Sequence, residues 1–290
     1  MTLTQVPAKG VLIAITLLLI VCGGALFGAG HMLSAPVHHR VGAPPAELFA
    51  TPIALLNQQG YVAGWVARGD GRGAVLLLHG VRADRRAMLG RALFLNRLGY
   101  TVVLVDLPSH GESWGERITF GAHEAAGVRL VLAWMAKNLP GERIGVIGSS
   151  LGAASLVLSE PGTKIDALVI EAMYPTIEDA VGNRLAIHLG APGRWLTPLL
   201  TAQIPLRTGV PVAALRPVDA MARLTCPVLV VGGTQDRHTT VNDTQRVFAA
   251  APEPKQLWLV EGAEHIDLHA YNPESYEKRI GAFLAAALRK

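Results

Sequence analysis

At 290 residues, half of them hydrophobic and 17% charged, the chain has the length and apolar content of one large α/β domain with an insertion. Its net charge of +4 is modest and no run of Lys or Arg forms a basic stripe, which argues against a nucleic-acid-binding protein. A disulfide framework is also excluded, because one of the two cysteines, Cys22, lies in an apolar segment near the N-terminus.

That N-terminal segment is apolar enough to cross a membrane. Residues 11–30 carry no charged side chain, and as a helix they extend about 30 Å, the thickness of the hydrocarbon core of a bilayer. A cleaved signal peptide has a shorter apolar region followed by a small-residue cleavage site. Here the apolar stretch is long and the cut site near Ser34-Ala35 is poorly defined, so we favour an uncleaved anchor. We expect the short N-terminal tail inside and the main domain on the extracytoplasmic side.

The chain is accordingly divided into three parts. Residues 1–30 are the membrane anchor or signal segment, residues 31–45 are a linker, and residues 46–290 are the folded domain. Regular structure in the linker is discouraged by three prolines, Pro36, Pro44 and Pro45.

Strands and helices alternate through the folded domain. A hairpin is predicted first, with strands over residues 53–56 and 61–67 and a turn over residues 57–60. Continuous apolar runs then predict buried strands over residues 74–78, 101–105, 144–147, 167–171, 228–231 and 256–260. Helical spacing of apolar residues predicts helices over residues 85–98, 122–138, 151–158 and 276–288. This alternation is typical of an α/β fold with a mostly parallel, doubly wound sheet and helices on both faces.

One long stretch interrupts the alternation. The segment between Pro175 and Pro227 contains no predicted strand, one predicted helix over residues 177–189, and then repeated prolines. A connection of this length in a compact domain is usually functional. We interpret residues 175–225 as a small helical cap over the C-terminal edge of the sheet.

A G-x-S-x-G pattern lies between one predicted strand and the helix behind it, and it reads Gly148-Ser149-Ser150-Leu151-Gly152. The pattern predicts a sharp strand-to-helix turn that presents Ser150 as a nucleophile. Glycine is expected on both sides because a side chain there would crowd the turn. Gly and Ser are common in ordinary turns, so the assignment depends on partners elsewhere in the chain.

A serine nucleophile needs a base, and the base needs a carboxylate that orients it. In open α/β sheets, functional side chains lie beyond the carboxyl ends of the strands. Asp236 follows the strand over residues 228–231, and His265 follows the strand over residues 256–260. We therefore predict a triad of Ser150, His265 and Asp236. Neighbouring groups are assigned otherwise: Asp243 is expected to cap a helix, and His269 is the alternative base.

The triad chemistry also requires an oxyanion hole, in which each backbone N–H donor is worth about 3 kcal/mol. Leu151, directly after the nucleophile, is expected to supply one donor. The other is expected from Val81, because Gly80 lets the loop after residues 74–78 approach the substrate. His79 is expected to brace this loop by hydrogen bonding rather than to take part in the reaction.

From about residue 46 to its end, the chain resembles the α/β-hydrolase superfamily. The resemblance is carried by His79-Gly80, Asp106-Leu107-Pro108-Ser109-His110-Gly111-Glu112-Ser113, and residues 148–152, 233–236 and 262–265. The resemblance implies the α/β-hydrolase fold, preceded here by a transmembrane helix. Within the superfamily, the chain is similar to membrane-anchored bacterial esterase or peptidase-like members. In that superfamily the D-x-x-x-H-G-x-S loop is structural, so Asp106, His110 and Ser113 are not assigned catalytic roles.

The triad and the resemblance together predict a serine hydrolase that cleaves an ester or thioester through an acyl-enzyme intermediate. The expected partners are a small acyl substrate and the membrane. No cofactor or metal is expected, because no His, Cys, Asp or Glu cluster has metal-ligand spacing and no phosphate loop is present. An acyltransferase, a serine peptidase and a non-catalytic, membrane-tethered binding module are the alternatives.

The substrate stays open at this point. Four apolar cap residues fit a hydrophobic acyl or alcohol group, or simply pack the cap onto the body: Trp195, Leu196, Leu199 and Leu200. Four cap arginines fit an anionic substrate or are solvated: Arg184, Arg194, Arg207 and Arg216.

Overall fold

The computed structural model describes residues 8–57 and 60–289. The first seven residues of the predicted N-terminal segment, Gln58 and Gln59 in the predicted hairpin turn, and Lys290 lie outside the described residues. The first described element is helix α1 (Ala8–Ser34).

One eight-stranded sheet organises the domain. Its strands are β1 (Thr51–Asn57), β2 (Gly60–Ala67), β3 (Ala74–Leu78), β4 (Thr101–Val105), β5 (Ile144–Ser149), β6 (Ala167–Glu171), β7 (Val228–Gly233) and β8 (Lys255–Val260). They lie in the order β1-β2-β4-β3-β5-β6-β7-β8. The pairs β1–β2 and β2–β4 are antiparallel and the other pairs are parallel. The predicted hairpin and the mostly parallel sheet are therefore present.

The remaining α-helices cover both faces of the sheet and form the cap. They are α2 (Leu89–Arg97), α3 (Ala122–Asn138), α4 (Leu151–Leu158), α5 (Ile177–Leu189), α6 (Thr197–Thr201), α7 (Gln203–Thr208), α8 (Pro217–Ala220), α9 (Val241–Ala250), α10 (Leu268–Tyr271) and α11 (Pro273–Ala287). One core cluster joins α3, α4 and α9 to the sheet, and the other joins α2 and α11 to its opposite face. The sheet is thus doubly wound, as predicted, because its central strands are apolar on both sides.

The helix predicted over residues 85–98 is divided in the structure. A 3₁₀ turn, Arg85–Met88, precedes α2, and the Asp84 side chain caps that turn by accepting from the Arg86 N–H. The tighter turn brings Arg85 to Asp106, whose Oδ1 accepts from the Arg85 N–H at 2.8 Å. Gly99, with φ of +90°, follows the end of α2, as its lack of a Cβ allows.

The predicted linker is attached to the domain. Helix α1 continues beyond residue 30 to Ser34, whose carbonyl accepts from the Ile118 N–H at 2.9 Å. Two-residue strands, Val37–His38 and His110–Gly111, then pair in parallel. This pairing lies far apart in sequence, so local composition could not predict it.

Most of α1 is exposed, but its last turns contact the cap. Side chains from Lys9 to Ala25 are exposed. The helix is long and apolar enough to cross a membrane, a property that signal sequences share. Contacts begin at Leu26, whose carbonyl accepts from Gln203 Nε2 on α7 at 3.2 Å. At Gly30 a Cβ would lie 2.4 Å from Gln203 Oε1, so glycine leaves room for the Gln203 side chain that bonds to Leu26 O.

Candidate active site

Ser150 lies on a strained turn between β5 and α4. Its φ of +49° and ψ of −108° are rare for a residue with a side chain. A Cβ at Gly148 would lie 2.6 Å from Ala153 Cα, and a Cβ at Gly152 would lie 2.4 Å from Leu78 O. Both flanking glycines are therefore required by backbone contacts. The Ser150 N–H donates to Glu171 O at 2.8 Å, which ties the turn to β6.

Asp236 and His265 are brought together by the loops after β7 and β8. His265 Nδ1 donates to Asp236 Oδ2 at 2.7 Å, and the Asp236 side chain is completely buried. The other carboxylate oxygen, Oδ1, accepts from the N–H groups of His238 and Thr239 at 2.7 and 2.8 Å. These bonds fix the carboxylate, and the bond to Nδ1 leaves His265 Nε2 as the ring nitrogen that can accept a proton.

The contact between Ser150 and His265 stays a prediction. Among the hydrogen bonds of the described residues, none joins the Ser150 hydroxyl to the imidazole of His265. Serine–histidine contacts of this kind often tighten only when substrate binds. The structure thus brings two of the three predicted triad residues into direct contact.

A cavity of about 390 Å³ lies over Ser150. Val81 and Leu151, the predicted oxyanion donors, line it together with Ser150. In the described part of the chain, no acceptor takes a hydrogen bond from the Val81 or Leu151 N–H, so both donors are free. Arg82, in the left-handed region at φ of +61°, follows Val81 at the turn of the loop. The residues that line the cavity thus include Ser150 and the two residues predicted to form the oxyanion hole.

His79 braces the loop that carries Val81, as predicted. Its Nδ1 donates to Gly80 O at 2.7 Å, and its Nε2 accepts from the Leu107 N–H at 3.0 Å. Burial lowers the pKa of His79 to about 4, so the ring is neutral at pH 7. Both ring nitrogens are occupied, and the residue is structural.

The loop beginning at Asp106 also has the structural role that was predicted. Asp106 is buried, pairs with Arg85 Nη1 at 2.5 Å and accepts from the Glu112 N–H at 2.9 Å. Ser113 Oγ donates to Asp106 O at 2.6 Å and accepts from the Ala63 N–H at 2.9 Å. His110 Nδ1 contacts Pro108 O at 2.9 Å within the same loop.

Two neighbouring residues are engaged elsewhere. Asp243 caps α9, accepting from the Thr240 N–H at 3.0 Å, as expected. His269, the alternative base, donates through Nε2 to Glu277 Oε1 at 3.1 Å and stacks on Phe94 with 5.5 Å between ring centroids. Its imidazole belongs to the contact between α2 and α11 and not to the carboxylate of Asp236.

His238 is a site residue that sequence reasoning missed. Its ring centroid lies 5.0 Å from that of His265, and among the described residues its buried Nδ1 has no hydrogen-bond partner. Burial is the main cause that lowers the pKa of His238, and the positive charge of Arg184 lowers it further. The one signal in the sequence is its position two residues after Asp236. A neutral His238 ring packs beside the imidazole of His265 without adding a cation.

A buried ion pair behind the site was also missed. Arg91 Nη2 lies 2.8 Å from Glu171 Oε2, and Tyr276 donates to the same carboxylate. Arg91 Nη1 reaches Asp267, at the N-terminus of α10, at 2.7 Å. The pair supports the end of β6, to which the Ser150 N–H is bonded. Among the described residues, no group of three or more His, Cys, Asp or Glu is placed to hold a metal ion.

The chain is similar in sequence and in fold to several known proteins. YqkD of Bacillus subtilis, an uncharacterised protein, is 26% identical over 246 residues, which cover 82% of this chain and 80% of YqkD. Rv2307c of Mycobacterium tuberculosis, also uncharacterised, is 29% identical over 224 residues, covering 76% of this chain and 71% of Rv2307c. Among solved structures, the Pyrococcus furiosus esterase Pf2001 has the same fold, with a TM-score of 0.73, 23% identity, and coverage of 88% of this chain and 99% of the esterase. A model of the alpha/beta hydrolase family matches residues 75–279. With the strained turn at Ser150, the order of the strands in the sheet and this match over most of its length, the chain belongs to the alpha/beta hydrolase family.

Proposed function

We propose that the protein is a serine hydrolase that cleaves a carboxylic ester or thioester through Ser150, His265 and Asp236. The observation that carries the proposal is the 2.7 Å hydrogen bond between His265 and the buried Asp236. It supplies an oriented base in a chain whose strained Ser150 faces a cavity. Membership of the alpha/beta hydrolase family supports hydrolysis as the reaction class.

In the proposed reaction, His265 Nε2 removes the proton from the Ser150 hydroxyl as its oxygen attacks the carbonyl carbon of the substrate. The N–H groups of Val81 and Leu151 stabilise the negative charge that develops on the carbonyl oxygen. The protonated His265 then gives its proton to the leaving alcohol or thiol as the bond to the acyl group breaks. Water, deprotonated by His265, attacks the acyl-enzyme and releases the acid and free Ser150. Asp236 holds the ring in the required tautomer and stabilises the imidazolium form.

A fluorophosphonate probe tests the assignment of the nucleophile. We expect the probe to label the native chain and the Ser149→Ala variant but not Ser150→Ala, because only Ser150 lies on the strained turn. Ester hydrolysis by Ser150→Ala should fall by at least about 10⁴-fold, the loss typical of a removed nucleophile. Equal labelling of the native chain and Ser150→Ala would overturn the proposal. Mass spectrometry of the labelled peptide identifies the modified serine.

We also propose that α1 remains attached as a membrane anchor, with the catalytic domain on the extracytoplasmic side. Its exposed apolar surface supports membrane insertion. Its last turns support retention, because Leu26, Phe27 and Ser34 all accept hydrogen bonds from the folded domain. On this proposal the anchor of residues 1–30 and the linker of residues 31–45 are joined by a helix that is part of the enzyme.

A further inference from the structure

The cavity over Ser150 has a wall that does not belong to the hydrolase domain. Ser150 and the oxyanion donors lie on one side, and α5 supplies apolar side chains that include Val181 and Leu185. Helix α1 supplies Ala29, Met32 and Leu33. The anchor helix therefore lines the same cavity as the nucleophile.

This wall is held in place by specific contacts. Arg207 Nη2 on α7 donates to Phe27 O at 2.6 Å, and its guanidinium lies 4.2 Å from the centroid of the Phe27 ring. Arg82, beside the predicted oxyanion donor Val81, donates through Nη1 to Met32 O at 3.1 Å. Contacts thus fix the helix to the cap at one point and to the loop over Ser150 at another.

The cavity suits an aliphatic chain. Most of the side chains around it are apolar, and its volume of about 390 Å³ lies within the usual range of roughly 300–1,000 Å³ for small-molecule sites. A second void of about 20 Å³ lies next to it, between α1 and α7, and is lined by Gly30. Leu33, Val181 and Leu200 line both spaces. The apolar space therefore extends from Ser150 toward the seam between the anchor and the cap.

We infer that the last two turns of α1 form one wall of the acyl pocket, and that this pocket binds an aliphatic acyl chain of medium length or longer. The inference rests on the proposed function, because it places the acyl group of the same substrate. Ala29 is the residue that sets chain length, since it is small, partly buried and faces the cavity. The chain can come from a membrane lipid or from a soluble acyl ester.

The test compares two substitutions on the same helix in the full-length chain in detergent. Ala29→Phe places a ring in the cavity, whereas Ala25→Phe places the same ring one turn earlier at an exposed position. The substrates are p-nitrophenyl acetate, butyrate, octanoate and palmitate. For Ala29→Phe we expect kcat/KM to fall by about tenfold or more on octanoate and palmitate and to change less than about threefold on acetate. Ala25→Phe should keep the native profile.

The outcomes separate this inference from the proposed function. If the native chain hydrolyses these esters through Ser150 but Ala29→Phe leaves the chain-length profile unchanged, the inference fails and the proposed function stands. If the native chain neither hydrolyses esters nor reacts with the fluorophosphonate, both fail. Should Ala29→Phe not fold, Leu33→Ala replaces it; this change widens the pocket and should raise the ratio of palmitate to octanoate hydrolysis, and an unchanged ratio would overturn the inference. For the native chain, release of fatty acid from diacylglycerol in vesicles identifies a membrane lipid as the source of the acyl chain. Hydrolysis of soluble p-nitrophenyl octanoate without release from diacylglycerol identifies a soluble ester.

Discussion

His79 shows how a single buried residue makes stability depend on pH. The ring is completely buried, and its two nitrogens serve as one donor and one acceptor, an arrangement that requires the neutral form. Its folded pKa of about 4 lies below the ordinary value of 6.5, and burial is the main cause. His110, whose ring centroid is 5.2 Å away, has its pKa lowered to about 4 by burial as well.

We expect the free energy of unfolding to fall as the pH drops from about 7 to about 4.5. The unfolded state binds a proton at His79 below its ordinary pKa of 6.5, whereas the folded state does so only near 4. Stability from this residue is therefore complete above pH 6.5 and is lost toward pH 4, at a total of up to about 3 kcal/mol.

Urea unfolding in detergent micelles at both pH values measures this difference. His79→Gln should reduce the pH dependence, while His123→Gln, a change at an exposed residue of α3, should retain it. A pH dependence that is the same in the native chain and in His79→Gln would contradict the assignment.

At the scale of elements, Arg91 joins parts of the fold that are far apart in sequence. It lies on α2, pairs with Glu171 at the end of β6, and has its guanidinium 5.1 Å from the ring of Tyr276 on α11. Both charged groups are buried, with side-chain exposures of 3% and 1%. Removing one member leaves a buried charge without a partner, which is the costly case for such pairs.

Arg91→Met should therefore destabilise the chain by about 3–5 kcal/mol. The double variant Arg91→Met, Glu171→Gln should recover a large part of that loss, because no fully buried charge is left without a counterion; Asp267, which also loses Arg91, is partly exposed. Denaturant unfolding of the native chain, both single variants and the double variant gives the coupling energy. Additive losses without recovery would show that the pair does not act as a unit.

Features that depend on residues close together in the chain could be predicted from the sequence, whereas features that depend on distant residues could not. Strands β3, β4 and β6 and helices α3, α4 and α5 begin and end where the apolar pattern placed them. The strand-to-helix turn at Ser150 was also predictable, because Ser150 and its two flanking glycines lie within five residues. The Arg91–Glu171 pair, 80 residues apart, and the ring contact between His238 and His265 depend on tertiary packing that no local pattern encodes.

At the scale of the whole molecule, helix α1 and the folded domain are joined by contacts at the end of the helix. We expect the full-length chain to remain in the membrane fraction after alkaline extraction, with residues before Ser34 still present by mass spectrometry. Cleavage next to Ser34-Ala35 would break a helix end that the Ile118 N–H and the buried Ser34 hydroxyl stabilise. Recovery of a chain beginning at Ala35 would contradict the anchor proposal.

On the extracytoplasmic proposal, protease added to sealed, right-side-out vesicles should reach the catalytic domain.

The length of α1 has a consequence for depth. Its 27 residues extend about 40 Å at a rise of about 1.5 Å per residue, whereas the hydrocarbon core is about 30 Å thick. About 10 Å, or nearly two turns, is left over. The contacts with the folded domain begin at Leu26 and end at Ser34, so this excess falls within the part of α1 that packs on that domain. A helix inserted to its full apolar extent would place its contacts with the folded domain at the level of lipid headgroups, where the ester bonds of glycerolipids lie. On the anchor proposal, the length of α1 would then set the height of Ser150 above the bilayer.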